Sequence, residues 1–290
     1  PNLVLAARNA AVPTFLMAGS LAPGSERLRW PGNSLYRDVF DRFTHLGVST
    51  EEDRRRFVED LGVRAPVSVT GDTRVEQVIV RYEESEGGAV CERLRSLGGR
   101  LLVLGSTWPP DEQLWLPVLG ELLRRFEDLR VVLCPHEPLP ERLADLEATL
   151  TMGGVPNVRL SAFMEGAGDE ARVVVVDSVG VLAEIYRAGH LAYIGGSFTT
   201  GVHNTMEPAI ALMPVLFGPR IQNAEEAGVL VSREAGFVCR QPAEALARAA
   251  ALLGDPELLR RTGEAARRVV LDQRGATERS LAVLRPHLAR

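Results

Sequence analysis

Short apolar runs alternate with longer amphipathic stretches along nearly the whole chain. The runs fall at 13–19, 44–49, 67–71, 101–105, 131–134, 173–177, 191–196, 214–218 and 236–239. Several are apolar at consecutive positions, as in Leu101–Leu104 and Val173–Val176. Continuous short runs bounded by Gly or Pro predict strands buried on both faces of a parallel sheet. Helical patterns lie between them, over 111–126, 139–150, 179–188, 204–212, 222–233, 242–253 and 256–271. Strand and helix alternating at this spacing predict βαβ units with helices on both sheet faces, an α/β fold.

The pattern breaks near 83–99. Residues 83–88 are acidic and Gly-rich, a polar helix follows, and Gly98-Gly99 stands directly before a strong strand. This predicts a first domain over 1–85, a linker over 86–98 and a second domain over 99–272. The second domain has six expected strands and reads as doubly wound. The first has three, too few for the same architecture, and the chain opens at Pro1 without Met. The expectation is an incomplete N-terminal domain. Residues 273–290 read as a final helix, either a simple terminal one or one crossing back to the first domain.

Composition changes this picture little. Of 290 residues, 46% are hydrophobic and 24% charged, as in ordinary globular proteins. The net charge of −5 argues against a general nucleic-acid binder. All 33 basic residues are Arg, which codon bias in a GC-rich genome explains. No apolar run approaches the roughly 20 residues of a membrane-spanning helix. Cys91, Cys134 and Cys239 lack metal spacing and read as buried free thiols. A Walker lysine is impossible without Lys, and neither GxGxxG nor GxSxG opens a strand–helix unit.

In open α/β sheets ligands bind beyond the carboxyl ends of the strands. Ser106 and Thr107 follow Gly105 there, suited to an anion near a helix start or to an ordinary N-cap turn. His136 and Glu137 end the next strand, either positioning a polar ligand or forming a solvated loop. Gly195, Gly196 and Ser197 let the chain turn sharply against a ligand. Asn204 and Glu207, beyond His203, have capping-box spacing, which predicts a helix starting at Asn204. The box is structural, or its first turn meets a phosphate while Glu207 accepts from ribose hydroxyls. Arg220 either pairs with a carboxylate or phosphate, or is one more surface charge.

These residues, in this order, resemble the Kdo transferases, which add 3-deoxy-D-manno-octulosonic acid (Kdo) to a lipid A precursor. The matching pieces are Gly105-Ser106-Thr107, Pro135-His136-Glu137 and Val176-Asp177-Ser178-Val179-Gly180 with Leu182 and Tyr186. They continue through Tyr193-Ile194-Gly195-Gly196-Ser197-Phe198 and Gly201-Val202-His203-Asn204-Thr205-Met206-Glu207-Pro208-Ala209. Pro214–Pro219 and Gln222-Asn223 close the set. In the first part, Pro1-Asn2-Leu3 and Val69–Arg74 match further segments. The pairing of GGSF with HNxxEP is fairly specific, whereas each piece alone is not.

The resemblance implies the GT-B architecture, two Rossmann-like doubly wound domains with the donor held mainly by the second. It implies an inverting glycosyltransferase acting without metal or cofactor, with CMP-Kdo as donor and a lipid A precursor as acceptor. It also implies a bacterial lipopolysaccharide enzyme at the cytoplasmic face of the inner membrane, met through the N-terminal part. Donor contacts would come from Ser106, Thr107, Gly196, Ser197, Asn204 and Glu207. Many relatives have Pro-Arg-His where this chain has Pro135-His136-Glu137, so Arg220 is the candidate replacement cation. The family's catalytic carboxylate matches nothing in this chain, which predicts that the 290-residue polypeptide is inactive alone. The alternatives are another GT-B enzyme, a UDP-sugar transferase or epimerase, and a non-catalytic nucleotide-binding protein.

Overall fold

A computed structural model describes residues 2–22, 24–84 and 87–288. Pro1 of the matched N-terminal segment, and Ser85 and Glu86 of the expected interdomain passage, lie outside them. The chain divides into two compact units, residues 1–80 with 273–290, and residues 81–272.

The first unit holds three parallel strands, β1 (Phe15–Gly19), β2 (His45–Val48) and β3 (Val67–Val69), in the order β1-β2-β3. Leu21, Leu46, Val48, Phe57, Leu61 and Val63 form its buried cluster, with Phe40 and Phe43 packed against it. The helix Ala276–Leu288 belongs to this unit. Its first turn is held by Glu76, whose carboxylate accepts from Gly275 N–H at 2.6 Å and Thr277 N–H at 2.7 Å. Orphan N–H groups at a helix start thereby gain a charged acceptor. The Arg279 guanidinium donates to the Thr70 carbonyl at the end of β3, at 3.1 Å.

The second unit is built on seven parallel strands. They are β4 (Arg100–Thr107), β5 (Leu129–Pro135), β6 (Asn157–Arg159), β7 (Val173–Val175), β8 (Leu191–Ile194), β9 (Val215–Phe217) and β10 (Gly236–Val238). Their order is β10-β9-β8-β4-β5-β7-β6. The chain starts at the central strand β4, lays β5 beside it, passes to the edge strand β6, inserts β7 between β5 and β6, then lays β8 on the other side of β4. Leu101–Leu104 and Val173–Val176 are all buried, as consecutive apolar runs require of strands covered on both faces. Trp115, on the helix Pro109–Arg125, is fully buried edge-on to Tyr193 of β8 at 5.3 Å.

The structure corrects several expectations. The sheet has seven strands, not six: β6 pairs with β7 through three residues, of which only Val158 is apolar, so no hydrophobic run announces it. The polar helix expected within the linker forms over Ala89–Ser96, but it packs into the second unit with Val90, Cys91 and Leu94 buried. The Glu184 carboxylate caps that helix, accepting from Val90 N–H at 2.7 Å and Cys91 N–H at 3.2 Å. The division between units falls instead between Val80 and Arg81, inside the helix Thr73–Glu84. All three cysteines are free and buried, and burial pushes the Cys134 and Cys239 thiols up to about 11 and about 12. Among the described residues no helix is long and apolar enough to cross a membrane.

Candidate functional site

The strand order reverses between β4 and β8, which makes their carboxyl ends a topological switch point, where open α/β sheets place ligands. The chain is shaped for close approach there. The β4–β5 register slips between Gly105 and Thr107, and Ser106 adopts a positive φ of 52°. A Cβ on Gly105 would lie 2.0 Å from the Tyr186 hydroxyl, and one on Gly195 would lie 2.2 Å from the Ser106 carbonyl oxygen. Gly196 takes φ 95°.

Asp111, fully buried at the start of the helix after β4, ties the two strand ends together. Its carboxylate accepts from Trp108 N–H at 2.9 Å, Gly196 N–H at 3.0 Å and the Tyr193 hydroxyl at 2.5 Å. Burial, with the Asp111 charge second, pushes the Tyr193 phenol far above its ordinary range, so it remains a donor.

Three rings gather beside this node. His136 stacks on Trp108 at 4.8 Å between centroids and on His203 at 4.4 Å. The Trp108 indole N–H donates to His203 Nε2 at 3.0 Å. Indole is only a donor, so His203 Nε2 carries no proton and a neutral ring holds its proton on Nδ1. Burial, then the neighbouring His136, lowers the His203 pKa, while Asp111 opposes the shift.

The expected site residues take different roles. Ser106, Gly195, Gly196, His136 and His203 lie together at the switch point. Thr107 is buried, and its hydroxyl donates to Glu112 at 2.9 Å. Arg142 donates to the same Glu112 oxygen at 2.6 Å, and burial raises the Glu112 pKa despite that cation. Ser197 is also buried, and its hydroxyl accepts from Gly218 N–H at 2.7 Å. Both hydroxyls are thus occupied inside the fold. Glu137 is exposed and lines a cavity of about 570 Å³ with Glu112, Glu141, Asp145 and Arg142. That acidic setting is poor for a phosphate.

The expected helix start at Asn204 shifts by two residues. The helix is Met206–Ile210, and the Asn204 side chain accepts from Met206 N–H at 3.0 Å in an Asx turn, replacing the capping box. Pro208 near the helix start is tolerated, as expected. Burial is the largest influence on Glu207 and raises its pKa, against Arg81, 3.9 Å away, and a hydrogen bond from Asn204. Arg220 is exposed and donates to the Thr199 carbonyl at 2.5 Å. Its main-chain N–H donates to the Ser197 carbonyl at 3.0 Å.

Asp111, Trp108 and Tyr193 were not read from the sequence as site residues. The available signal was an Asp three residues after Trp108 at a Pro-Pro helix start.

Residues 1–77 match the family model described as 3-Deoxy-D-manno-octulosonic-acid transferase (kdotransferase). Over 240 residues the chain is 30% identical to the 3-deoxy-D-manno-octulosonic acid transferase of Chlamydophila psittaci, covering 81% of this chain and 53% of that protein. The enzyme of the same name from Bordetella pertussis is 29% identical, over 98% of this chain and 66% of its own length. The chain therefore spans about half to two thirds of these relatives. Among solved structures, the C-terminal CMP-Kdo binding domain of WaaA from Acinetobacter baumannii superposes with a TM-score of 0.55 at 23% identity. It covers 63% of this chain and 98% of its own. A UDP-N-acetylglucosamine 2-epimerase described as putative, from Listeria monocytogenes, superposes with a TM-score of 0.66 at 15% identity, over 99% of this chain and 71% of its own. The fold is that of the GT-B glycosyltransferases and epimerases.

Proposed function

We propose, from the premise that this chain belongs to the Kdo transferase family, that its second unit binds the donor CMP-Kdo at the β4–β8 switch point. The observation that carries the reading is the joining of the two Gly-containing strand ends through Asp111. Those glycines let the strand ends pack closely, since a Cβ on Gly105 or Gly195 would strike Tyr186 or Ser106.

CMP-Kdo carries a phosphodiester and a sugar carboxylate. As the glycosidic bond breaks, negative charge grows on the departing CMP. Fixed polar groups facing that charge stabilise it without reorganising. The Ser106 hydroxyl and the Asn204 amide are the candidate donors, and Arg220 the candidate cation. Glu207 serves the ribose hydroxyls, because a carboxylate beside the phosphate would repel it. Its exposed neighbour Asn204 and the cation of Arg81 keep it from standing isolated.

For the whole protein, since this chain spans only about half to two thirds of its relatives, the reading is inverting transfer of Kdo to a lipid A precursor at the cytoplasmic face of the bacterial inner membrane. A general base activates the acceptor hydroxyl.

Calorimetric titration of the 290-residue chain with CMP, UMP and UDP tests the donor assignment. Saturable CMP binding, tighter than that of either uridine nucleotide, is the expected outcome. A preference for UDP would reassign the site to a UDP-sugar enzyme, whose fold this chain also shares.

A further inference from the structure

The helices Pro109–Arg125 and Pro140–Met152 both contribute walls to the cavity of about 570 Å³ that Glu137 borders. Four carboxylates line it, those of Glu112, Glu137, Glu141 and Asp145, against the single guanidinium of Arg142. Arg142 is already committed, 2.6 Å from Glu112. Leu116, Leu139, Leu146 and Trp108 supply apolar wall.

Two independent features leave this cavity short of positive charge. The first is its rim. Glu137, Glu141 and Asp145 are exposed and stand four positions apart. On the helix that spacing puts Glu141 and Asp145 on one face, about 6 Å apart along the axis. Like charges so placed repel each other. Among the described residues none of these three carboxylates has an ion-pair or hydrogen-bond partner. Glu147, on the same helix but not in the cavity wall, is paired with Arg159 at 2.7 Å.

The second feature lies deeper. Glu112 comes from the other helix and is only 6% exposed. The Thr107 hydroxyl and Arg142 both donate to its Oε1. Among the described residues its Oε2 accepts no hydrogen bond, which is costly for a charge held away from bulk water. Burial accordingly raises the Glu112 pKa, against Arg142 and Thr107. Among the described residues no three acidic, His or Cys groups converge closely enough to hold a metal ion, so the cation that suits this wall is a larger one.

We propose that this cavity binds an organic polyamine, its ammonium groups meeting the carboxylates and its alkyl spacers lying on the leucine wall. Each ammonium brings several donors and stays charged at neutral pH. An alkyl chain carrying separated charges gains from the apolar wall and the acidic rim together, which a hydrated metal ion does not. The site is distinct from that of the anionic donor, and its assignment does not depend on which nucleotide the switch point takes.

Spermidine, putrescine and magnesium chloride are titrated calorimetrically into the 290-residue chain at one fixed ionic strength. The comparison is with the Glu141→Gln, Asp145→Asn double variant and with Glu112→Gln, in which Thr107 and Arg142 keep an acceptor. A control double variant, Glu165→Gln with Glu170→Gln, removes the same charge elsewhere. Native circular dichroism is checked for each. Saturable spermidine binding, weakened about tenfold or more in the Glu141/Asp145 variant and unchanged in the control, is the expected result. Should Glu112→Gln fail to fold, the exposed pair still decides the matter. Absence of saturable binding, equal affinity in the folded Glu141/Asp145 variant, or an equal loss in the control overturns the proposal. So does complete displacement of spermidine by magnesium, which would make the cavity an inorganic-cation site. Because CMP plays no part in this readout, its failure and that of the donor assignment are distinguishable.

Discussion

The indole of Trp108 holds His203 in a single protonation form. Its N–H, 3.0 Å from His203 Nε2, occupies the position a second imidazole proton would need. The two residues stand 95 positions apart, at the ends of β4 and just beyond β8. Burial, and then the adjacent His136, lowers the His203 pKa, and an indole donor on Nε2 opposes protonation in the same direction. Trp108→Phe removes the donor and raises the His203 pKa, as nuclear magnetic resonance of the ring protons will read. The sign for stability follows from linkage. The unfolded chain takes up this proton near pH 6.5 and the folded chain only lower, so the protein loses stability as pH falls through that interval.

Glu207→Ala is expected to weaken CMP binding roughly tenfold or more, the scale of one charge-assisted hydrogen bond. Folding should change less, since the Asx turn of Asn204 remains. Calorimetry with a parallel denaturant titration separates the two. Because burial raises the Glu207 pKa, CMP affinity in the parent chain should begin to fall at a higher pH than for an ordinary carboxylate. Equal affinity in the folded variant removes Glu207 from the site.

Gly105→Ala places a methyl 2.0 Å from the buried Tyr186 hydroxyl. Overpacking of this kind costs about 1–3 kcal/mol. The double variant with Tyr186→Phe removes the obstructing oxygen and should recover part of the loss. Urea midpoints of the four proteins in this cycle measure the coupling.

Glu76→Gln leaves the first turn of the helix Ala276–Leu288 without its charged acceptor. A loss of about 1 kcal/mol is expected, the usual scale of a helix cap. Hydrogen bonding from Thr277 is the largest influence lowering the Glu76 pKa. A depressed carboxylate contributes stability above its unfolded value, near 4.3, and loses it as pH falls through the folded value. The parent and variant should therefore converge in stability in acid, which denaturation at pH 7 and pH 3 will show.

Local patterns made much of the large sheet legible. Leu101–Leu104 and Val173–Val176 reveal themselves because strands buried on both faces have no polar alternation to obscure them. The helix Pro256–Leu271 is equally plain, with Asp255 accepting from Glu257 N–H and Leu258 N–H before Pro256. β6 was invisible because a three-residue edge strand supplies almost no apolar signal. At the site, the glycines announced where the chain turns but not which hydroxyls would face inward. Thr107 and Ser197 turn toward Glu112 and Gly218, partners set by tertiary packing. Asp111 was missed for the same reason: two of its three donors lie more than eighty positions away.

The strand order also governs when the crevice can exist during synthesis. A ribosome that has released β4 through β7 has delivered one wall only, since the other wall begins with β8. The Gly196 amide that completes the Asp111 node emerges 85 residues after it. Nascent chains shorter than this carry the Trp108 loop and its carboxylate without the wall they join, so the node closes late in the polypeptide's birth.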